Sequence, residues 1–268
     1  MQGWRSELAN AGTVMGIWQQ IPSPMISRFL AQMGWRWVIL DMQHGCFNWE
    51  TAYECIQILR AAGSRPLVRV GIGQTAEAQK ALDLGAGGVV APMVNSRSEA
   101  EAMAAAAKYP PLGQRSIGGD FKYTYGPDYP DRANDGTLLL IQLEHIQGVD
   151  AADAILGVSG VDGCFIGPTD LALSMGLPRD GFESVPKHRE CIQQIVEACS
   201  RSCKLVCTNA YTVAEARLRV AEGYSCVTMR SDADLFVDSA QSLLREMEGA
   251  QLARSAAILS ETRREKVI

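Results

Sequence analysis

The chain has 268 residues, 47% hydrophobic and 21% charged, with a formal net charge of −5. That length suits one large α/β barrel or two ordinary domains, and the acidic balance gives no electrostatic footprint for nucleic acid or an anionic membrane. No run of about 18 apolar residues points to a membrane span, and Met1-Gln2-Gly3-Trp4-Arg5-Ser6-Glu7 lacks the apolar core of a signal segment, so a cytoplasmic location is expected.

Short apolar runs alternate with amphipathic segments of helical length, the pattern of repeated βα units. Strands are predicted at 14–18, 37–41, 66–70, 88–94, 138–144, 162–166, 204–208 and 224–229. Helices are predicted at 24–33, 49–62, 75–84, 98–108, 186–202, 213–221 and 232–248. Gly34, Gly63, Gly85 and Gly223 stand where helices should stop, as C-cap glycines do. Eight strands with intervening helices predict a single (β/α)8 TIM barrel of the α/β class over residues 1–268, with no second domain. A doubly wound sheet would need a Gly-x-Gly-x-x-Gly turn after its first strand. None is present, and Gly71-Ile72-Gly73 reads as a plain turn. Two segments exceed a minimal barrel. Residues 109–136 form a long Pro-, Gly- and Tyr-rich connection of a kind usually functional or lid-like. Residues 250–268 read as an extra C-terminal helix used in oligomer contacts.

The eight cysteines contain no Cys-x-x-Cys pair, and several lie in apolar strands or on helices, as reduced core thiols do. Cys199, Cys203 and Cys207 lack a nearby fourth ligand for a metal.

Several strands end in a charged residue. Val38-Ile39-Leu40 runs into Asp41-Met42-Gln43-His44-Gly45, Leu67-Val68 into Arg69, Leu139-Leu140-Ile141-Gln142-Leu143 into Glu144, and Phe165-Ile166 into Gly167-Pro168-Thr169-Asp170. On a barrel, Asp41, His44, Arg69, Glu144 and Asp170 all fall at the carboxyl-end face, where barrel active sites are built. One such residue alone is ordinarily only solvated; five of complementary type on one rim make a site.

Glu144 and Asp170 are the metal candidates, because two carboxylates suit a hard divalent ion that keeps waters and takes further oxygens from a substrate. With only His44, His145 and His188 in the chain, a His-rich zinc site is not expected, and His145 reads as structural. Arg69 supplies a fixed cation for an oxyanion or a carboxylate. His44 can exchange a proton near neutral pH, and a carboxylate partner would orient it. Asp41 is one candidate for that partner, and Asp83, brought in by a neighbouring subunit, is the other. Metal, cation and tuned base together describe enolate chemistry on a 2-oxo acid. A Schiff-base mechanism needs a lysine inside the barrel, and none of the six lysines ends a strand.

The residues that carry this pattern also resemble the HpcH/HpaI family of class II, metal-dependent pyruvate aldolases. The likeness runs through Asp41-Met42-Gln43-His44-Gly45, Pro66-Leu67-Val68-Arg69, Leu82-Asp83-Leu84-Gly85-Ala86, Ala91-Pro92-Met93-Val94 and Gly113-Gln114-Arg115-Ser116. It continues through Ile141-Gln142-Leu143-Glu144 and Val161-Asp162-Gly163-Cys164-Phe165-Ile166-Gly167-Pro168-Thr169-Asp170-Leu171-Ala172.

The resemblance implies reversible cleavage of a 4-hydroxy-2-oxo acid to pyruvate and an aldehyde through a metal-bound pyruvate enolate. It implies that Glu144 and Asp170 bind a divalent metal ion (Mg²⁺, Mn²⁺ or Co²⁺), that His44 is the acid/base and that Arg69 stabilises the transition state. It further implies that Asp83 raises the basicity of the histidine, and that Gln142, Thr169 and the backbone at Gly167 contact the 2-oxo acid. A homohexamer, a trimer of dimers, is implied as well. Gln43 departs from the Glu of many relatives, and the loop 115–134 is unlike the shorter prototype, so the aldehyde end stays open. The alternatives are an acyl-CoA lyase of the citryl- or malyl-CoA type, with Arg115 and Lys122 as a thin basic patch, and a non-catalytic 2-oxo-acid-binding barrel.

Overall fold

In the computed structural model, residues 12–119, 121–178 and 180–265 are described, with side chains at all of these except 121, 122 and 249–265. The strands β1 (Val14–Gln19), β2 (Trp37–Asp41), β3 (Arg65–Arg69), β4 (Gly88–Ala91), β5 (Leu138–Leu143), β6 (Gly163–Ile166), β7 (Leu205–Ala210) and β8 (Cys226–Ser231) close a parallel barrel in chain order. The predicted barrel is the observed one. Around the strands run α1 (Pro24–Gln32), α2 (Trp49–Ala61), α3 (Thr75–Asp83), α4 (Arg97–Ala107), α5 (Phe121–Thr124) and α6 (Tyr129–Gly136). They are followed by α7 (Ile146–Asp150), α8 (Ala152–Leu156), α9 (Pro168–Ser174), α10 (Pro186–Arg201), α11 (Val213–Ala221) and α12 (Asp232–Glu265).

Strand side chains divide by the period of two into two apolar layers. Trp18, Trp37, Ile39, Leu67, Leu138, Leu140, Phe165 and Cys207 pack together inside the barrel. Val38, Leu40, Val68, Leu139, Ile141 and Cys164 point the other way and pack with helix residues such as Cys55, Ile56 and Leu59. The same alternation turns Asp41, Arg69 and Gln142, each two residues beyond an interior apolar side chain, toward the barrel axis at the carboxyl end.

The helix-stop glycines Gly34, Gly63, Gly85 and Gly223 all have positive φ, which a side chain would strain. Other boundaries moved for physical reasons. The strand expected to reach 94 stops at Ala91, because Pro92 lacks an N–H and Met93 takes φ +53°. The loop 109–136 contains α5 and α6. The helices expected at 232–248 and 250–268 are one continuous α12 as far as Glu265, because the intervening Gly249 is not followed by proline and a lone glycine weakens a helix by only about 1 kcal/mol. Residues 266–268 and the Lys122 side chain lie outside the described residues, as do 1–11.

At the amino ends of the strands, Lys108 is fully buried and its ammonium donates to the Thr137 carbonyl at 2.7 Å, the Asn134 carbonyl at 3.1 Å and Asp162 Oδ2 at 2.8 Å. Asp162 Oδ2 also accepts the Leu139 N–H at 2.8 Å. This knot ties the long loop to β5 and to the start of β6. All eight cysteines are free thiols; Cys46 and Cys203 are exposed and the other six buried. No helix among the described residues is long and apolar enough to cross a membrane.

Candidate active site

Asp41 ends β2 and Arg69 ends β3, and the two are register partners across the ladder. Both carboxylate oxygens of Asp41 are occupied by the Arg69 fork, Nε to Oδ1 at 2.9 Å and Nη2 to Oδ2 at 2.6 Å. Gln20 Nε2 donates to Oδ2 at 3.0 Å, and the backbone N–H groups of Gln43 and His44 donate to Oδ1 at 3.2 Å each. Burial pushes the Asp41 carboxyl up, but the bonds and charge of Arg69 outweigh it and hold the group below its ordinary range. The guanidinium lies 4.5 Å over the Trp18 ring, and Trp18 is itself fixed by a 2.9 Å bond from Nε1 to Thr228 Oγ1. Arg69 is therefore held on its edge by a carboxylate and on its face by an indole.

Glu144 follows β5 and is 2% exposed. Its Oε1 accepts the Met93 N–H at 2.9 Å, a donor aimed by the left-handed backbone of that residue, and its Oε2 accepts from Gln142 Nε2. Burial, and then the nearby charge of Asp170, push the Glu144 carboxyl up to about 7. Asp170 stands exposed in the first turn of α9. A divalent cation fits here: it would neutralise two carboxylates that repel each other, and Gln142 Oε1, buried without a partner, is a further oxygen ligand or acceptor. No group of three or more His, Cys, Asp or Glu side chains able to hold a metal occurs among the described residues. The Gly167 backbone crowds this corner. A Cβ there would sit 2.5 Å from Glu144 Oε2 and 2.7 Å from its Cβ.

His44 is exposed, and its contact with Asp41 runs through its backbone N–H; no hydrogen bond reaches its ring among the described residues. Asp41 is thus not an imidazole partner within the chain, because its oxygens are committed to Arg69 and to the turn. Asp83, at the end of α3, bonds instead to Arg115, Nη2 to Oδ1 at 2.7 Å. His145 accepts the Gln147 N–H at 3.2 Å as the N-cap of α7, a structural role as expected. His188, buried on α10, bonds through Nε2 to the Pro168 carbonyl at 2.9 Å and braces the start of α9.

Arg69, Gln142, Gly167, Thr169 and Asp170 share one cavity of about 160 Å³ at the carboxyl-end face. Its outer wall holds Asn209, Tyr211 and Arg230, which motif reading did not single out. Tyr211 Oη and Thr169 Oγ1 lie 3.2 Å apart. Alternation carried past the interior Cys207 would have reached Asn209, and the same rule on β1 reaches Trp18. A larger cavity of about 310 Å³ opens at the opposite end, beside the starts of β3 and β4, and none of the predicted site residues lines it.

Residues 15–239 match the family model described as HpcH/HpaI aldolase/citrate lyase. The chain is 37% identical over 185 residues to a hydroxypyruvate/pyruvate aldolase of Roseovarius nubinhibens, covering 68% of this chain and 72% of that protein. It is 32% identical over 243 residues to a 5-keto-4-deoxy-D-glucarate aldolase of Shigella dysenteriae serotype 1, covering 90% and 94%. The crystal structure of an HpcH/HpaI aldolase from Desulfitobacterium hafniense superposes with a TM-score of 0.85 at 26% identity, covering 92% of this chain and 97% of that one. With the matched family model spanning most of the barrel, the chain belongs to the HpcH/HpaI aldolase/citrate lyase family and is a carbon–carbon lyase.

Proposed function

We propose that the protein is a divalent-metal-dependent aldolase that reversibly cleaves a 4-hydroxy-2-oxo acid to pyruvate and an aldehyde. The observation that carries this reading is buried Glu144 within electrostatic reach of Asp170 and of a clamped Arg69, the latter two lining one cavity. Glu144 and Asp170 hold the cation, which is Mg²⁺, Mn²⁺ or Co²⁺. When bound, it acts as a Lewis acid on the carboxylate and 2-keto oxygens of the substrate. Arg69, unable to swing away from Asp41, stabilises negative charge as it develops on the 2-keto oxygen. Gln142, Thr169 and the backbone at Gly167 orient the 2-oxo acid. His44 takes the proton of the 4-hydroxyl. The C3–C4 bond then breaks, C4–O becomes the aldehyde carbonyl, and the electron pair passes to the enolate of pyruvate, which is protonated at C3.

His44 needs a carboxylate to orient it, and Asp83 of a neighbouring subunit fills that part in a homohexamer built as a trimer of dimers. Exposed apolar side chains on α12, among them Phe236 at 68%, Leu243 at 65% and Met247 at 60%, support burial of that helix against another copy. The terminal part of α12 serves that contact, and a cytoplasmic location completes the reading. The test is a panel of 4-hydroxy-2-oxo acids of different tails, followed by pyruvate release with added Mg²⁺ or Mn²⁺. Release from at least one, abolished in demonstrably metal-free protein, is expected. Full-rate cleavage by metal-free protein would remove the metal from the mechanism, and cleavage of CoA thioesters with no pyruvate release would replace the reading with an acyl-CoA lyase.

A further inference from the structure

We propose that the cavity of about 310 Å³ at the amino ends of β3 and β4 is a second binding site, one that takes a small dicarboxylate. It does not depend on the aldolase reading, because none of the residues lining it belongs to the candidate active site.

The barrel and the long connection 109–136 build the cavity together. Arg60 comes from the end of α2, Arg65 from the start of β3, and Gly85-Ala86-Gly87 from the turn into β4. Tyr125 and Tyr129 come from the connection, a segment long enough to need a task and given none by the active site. The Arg60 guanidinium lies 4.1 Å over the Tyr125 ring, and that ring lies 5.1 Å from the ring of Tyr129. A cation and two rings thus form a stack that closes the connection over the amino-end face. Gly85 makes room for it. A Cβ there would sit 2.5 Å from Arg60 Nη1 and would also collide with Tyr125 Oη, so the guanidinium and the hydroxyl converge on one point of the wall.

Charge and donor type specify the ligand. Two guanidiniums line the cavity and no Asp or Glu among the described residues does, in a chain whose net charge is −5. Other donors on the wall are spent. Ser64 Oγ donates to the Trp35 carbonyl and Thr137 Oγ1 to the Ala133 carbonyl, both at 2.8 Å. The backbone N–H groups of Gly85, Ala86 and Gly87 donate to the carbonyls of Leu82, Ala81 and Pro66. The turn is therefore no nest of backbone donors of the kind that cradles phosphate. Arg60 Nη1 reaches the Gly85 carbonyl only at 3.4 Å, and a guanidinium carries five N–H donors in a planar fork that matches a carboxylate with two bonds. Two forks on one cavity suit two carboxylates, and its volume leaves room for the carbon chain that joins them.

Calorimetry on the full-length protein, without added metal, tests this with succinate as the probe. Butyrate is the singly charged counterpart and inorganic phosphate the tetrahedral one. Succinate is expected to bind at one site per chain, about tenfold or more tighter than either. Arg60→Gln and Arg65→Gln are each expected to weaken it about 10- to 100-fold, the scale of a hydrogen bond to a charged group. Arg69→Ala, at the other end of the barrel, is expected to bind succinate as the parent does. Arg60→Lys and Arg65→Lys keep the charge and lose the fork; an expected weakening of about tenfold in them decides the matter if a Gln variant fails to fold. Succinate is also expected to raise the thermal unfolding midpoint of the parent, and by less in each variant of Arg60 or Arg65. Absence of saturable succinate binding overturns the proposal. So does binding that is lost in Arg69→Ala and kept in the Arg60 and Arg65 variants, which would place the ligand in the active centre. Butyrate or phosphate bound as tightly as succinate overturns the dicarboxylate.

Discussion

Asp41 and Arg69 face each other in register at the ends of adjacent parallel strands, joined by two bonds of 2.9 and 2.6 Å with neither side chain more than 11% exposed. The pair fixes the position of a cation close enough to Glu144 for its charge to be felt there. Asp41→Asn removes the charge and presents an amide N–H to one arm of the fork. It is expected to lower kcat/KM about tenfold through a less constrained Arg69, as measured by pyruvate release.

The same pair sets an acid limit. Burial raises the Asp41 carboxyl and Arg69 more than reverses this, so its folded-state value lies below the unfolded one. Its contribution to stability is therefore present above the ordinary carboxylate range and is lost as pH falls through the depressed value, below about pH 4. Urea unfolding across pH 2–7 is expected to show Asp41→Asn less stable than the parent at neutral pH, with a shallower loss toward acid.

In the proposed mechanism, removal of the Arg69 side chain leaves the 2-keto oxygen without its cation. Arg69→Ala is expected to raise the barrier read from kcat/KM by roughly 2–4 kcal/mol, the scale for loss of an oxyanion donor. An unchanged rate would take Arg69 out of the chemistry.

Glu144 carries a proton over part of the working pH range in metal-free protein, because burial and Asp170 push its carboxyl up to about 7. With Glu144 as the proposed metal ligand, cation binding displaces that proton. The apparent Kd for Mn²⁺, measured by calorimetry, is expected to weaken as pH falls below 7, with a proton released on binding at pH 6 and little released at pH 8. Gly167→Ala drives a methyl group onto Glu144, since the added Cβ meets Oε2 at 2.5 Å. A loss of Mn²⁺ affinity of about tenfold or more is expected, with the circular dichroism spectrum retained.

Lys108 and Asp162 form a buried pair at 2.8 Å on the face opposite the site. Lys108→Met removes the ammonium that faces the buried Asp162 carboxylate and is expected to destabilise the fold by about 3–5 kcal/mol in chemical denaturation, whereas Lys108→Met with Asp162→Asn recovers part of that loss.

Much of this fold was legible as period and punctuation. Trp37–Asp41 and Val213–Ala221 begin and end where the apolar pattern and its flanking signals put them. The short helices α7, α8 and α9 were not legible, because five to seven residues are too few to display a helical period. The candidate site was legible where a charged residue interrupts an apolar strand, as at Asp41, Arg69 and Glu144. Asn209 and Arg230 escaped because β7 and β8 end in mixed polar runs, where no single residue stands out. The bulge that aims Arg230 is a register event between two strands more than 200 residues apart, and no local pattern encodes it.

The order of strands and helices, the period of two that separates interior from exterior, and the chemical types at the strand ends belong to the sequence alone. Those features depend on local backbone geometry and on the drive to bury apolar side chains. The pairings required closure of the barrel. Asp41 lies three residues from His44 in the chain, yet its side chain bonds to Arg69, 28 residues away, because parallel register sets the strand ends side by side and a guanidinium fork meets a carboxylate better than a flexible turn does. Asp83 went to Arg115 for the same kind of reason: a buried cation takes the carboxylate that packing brings within reach.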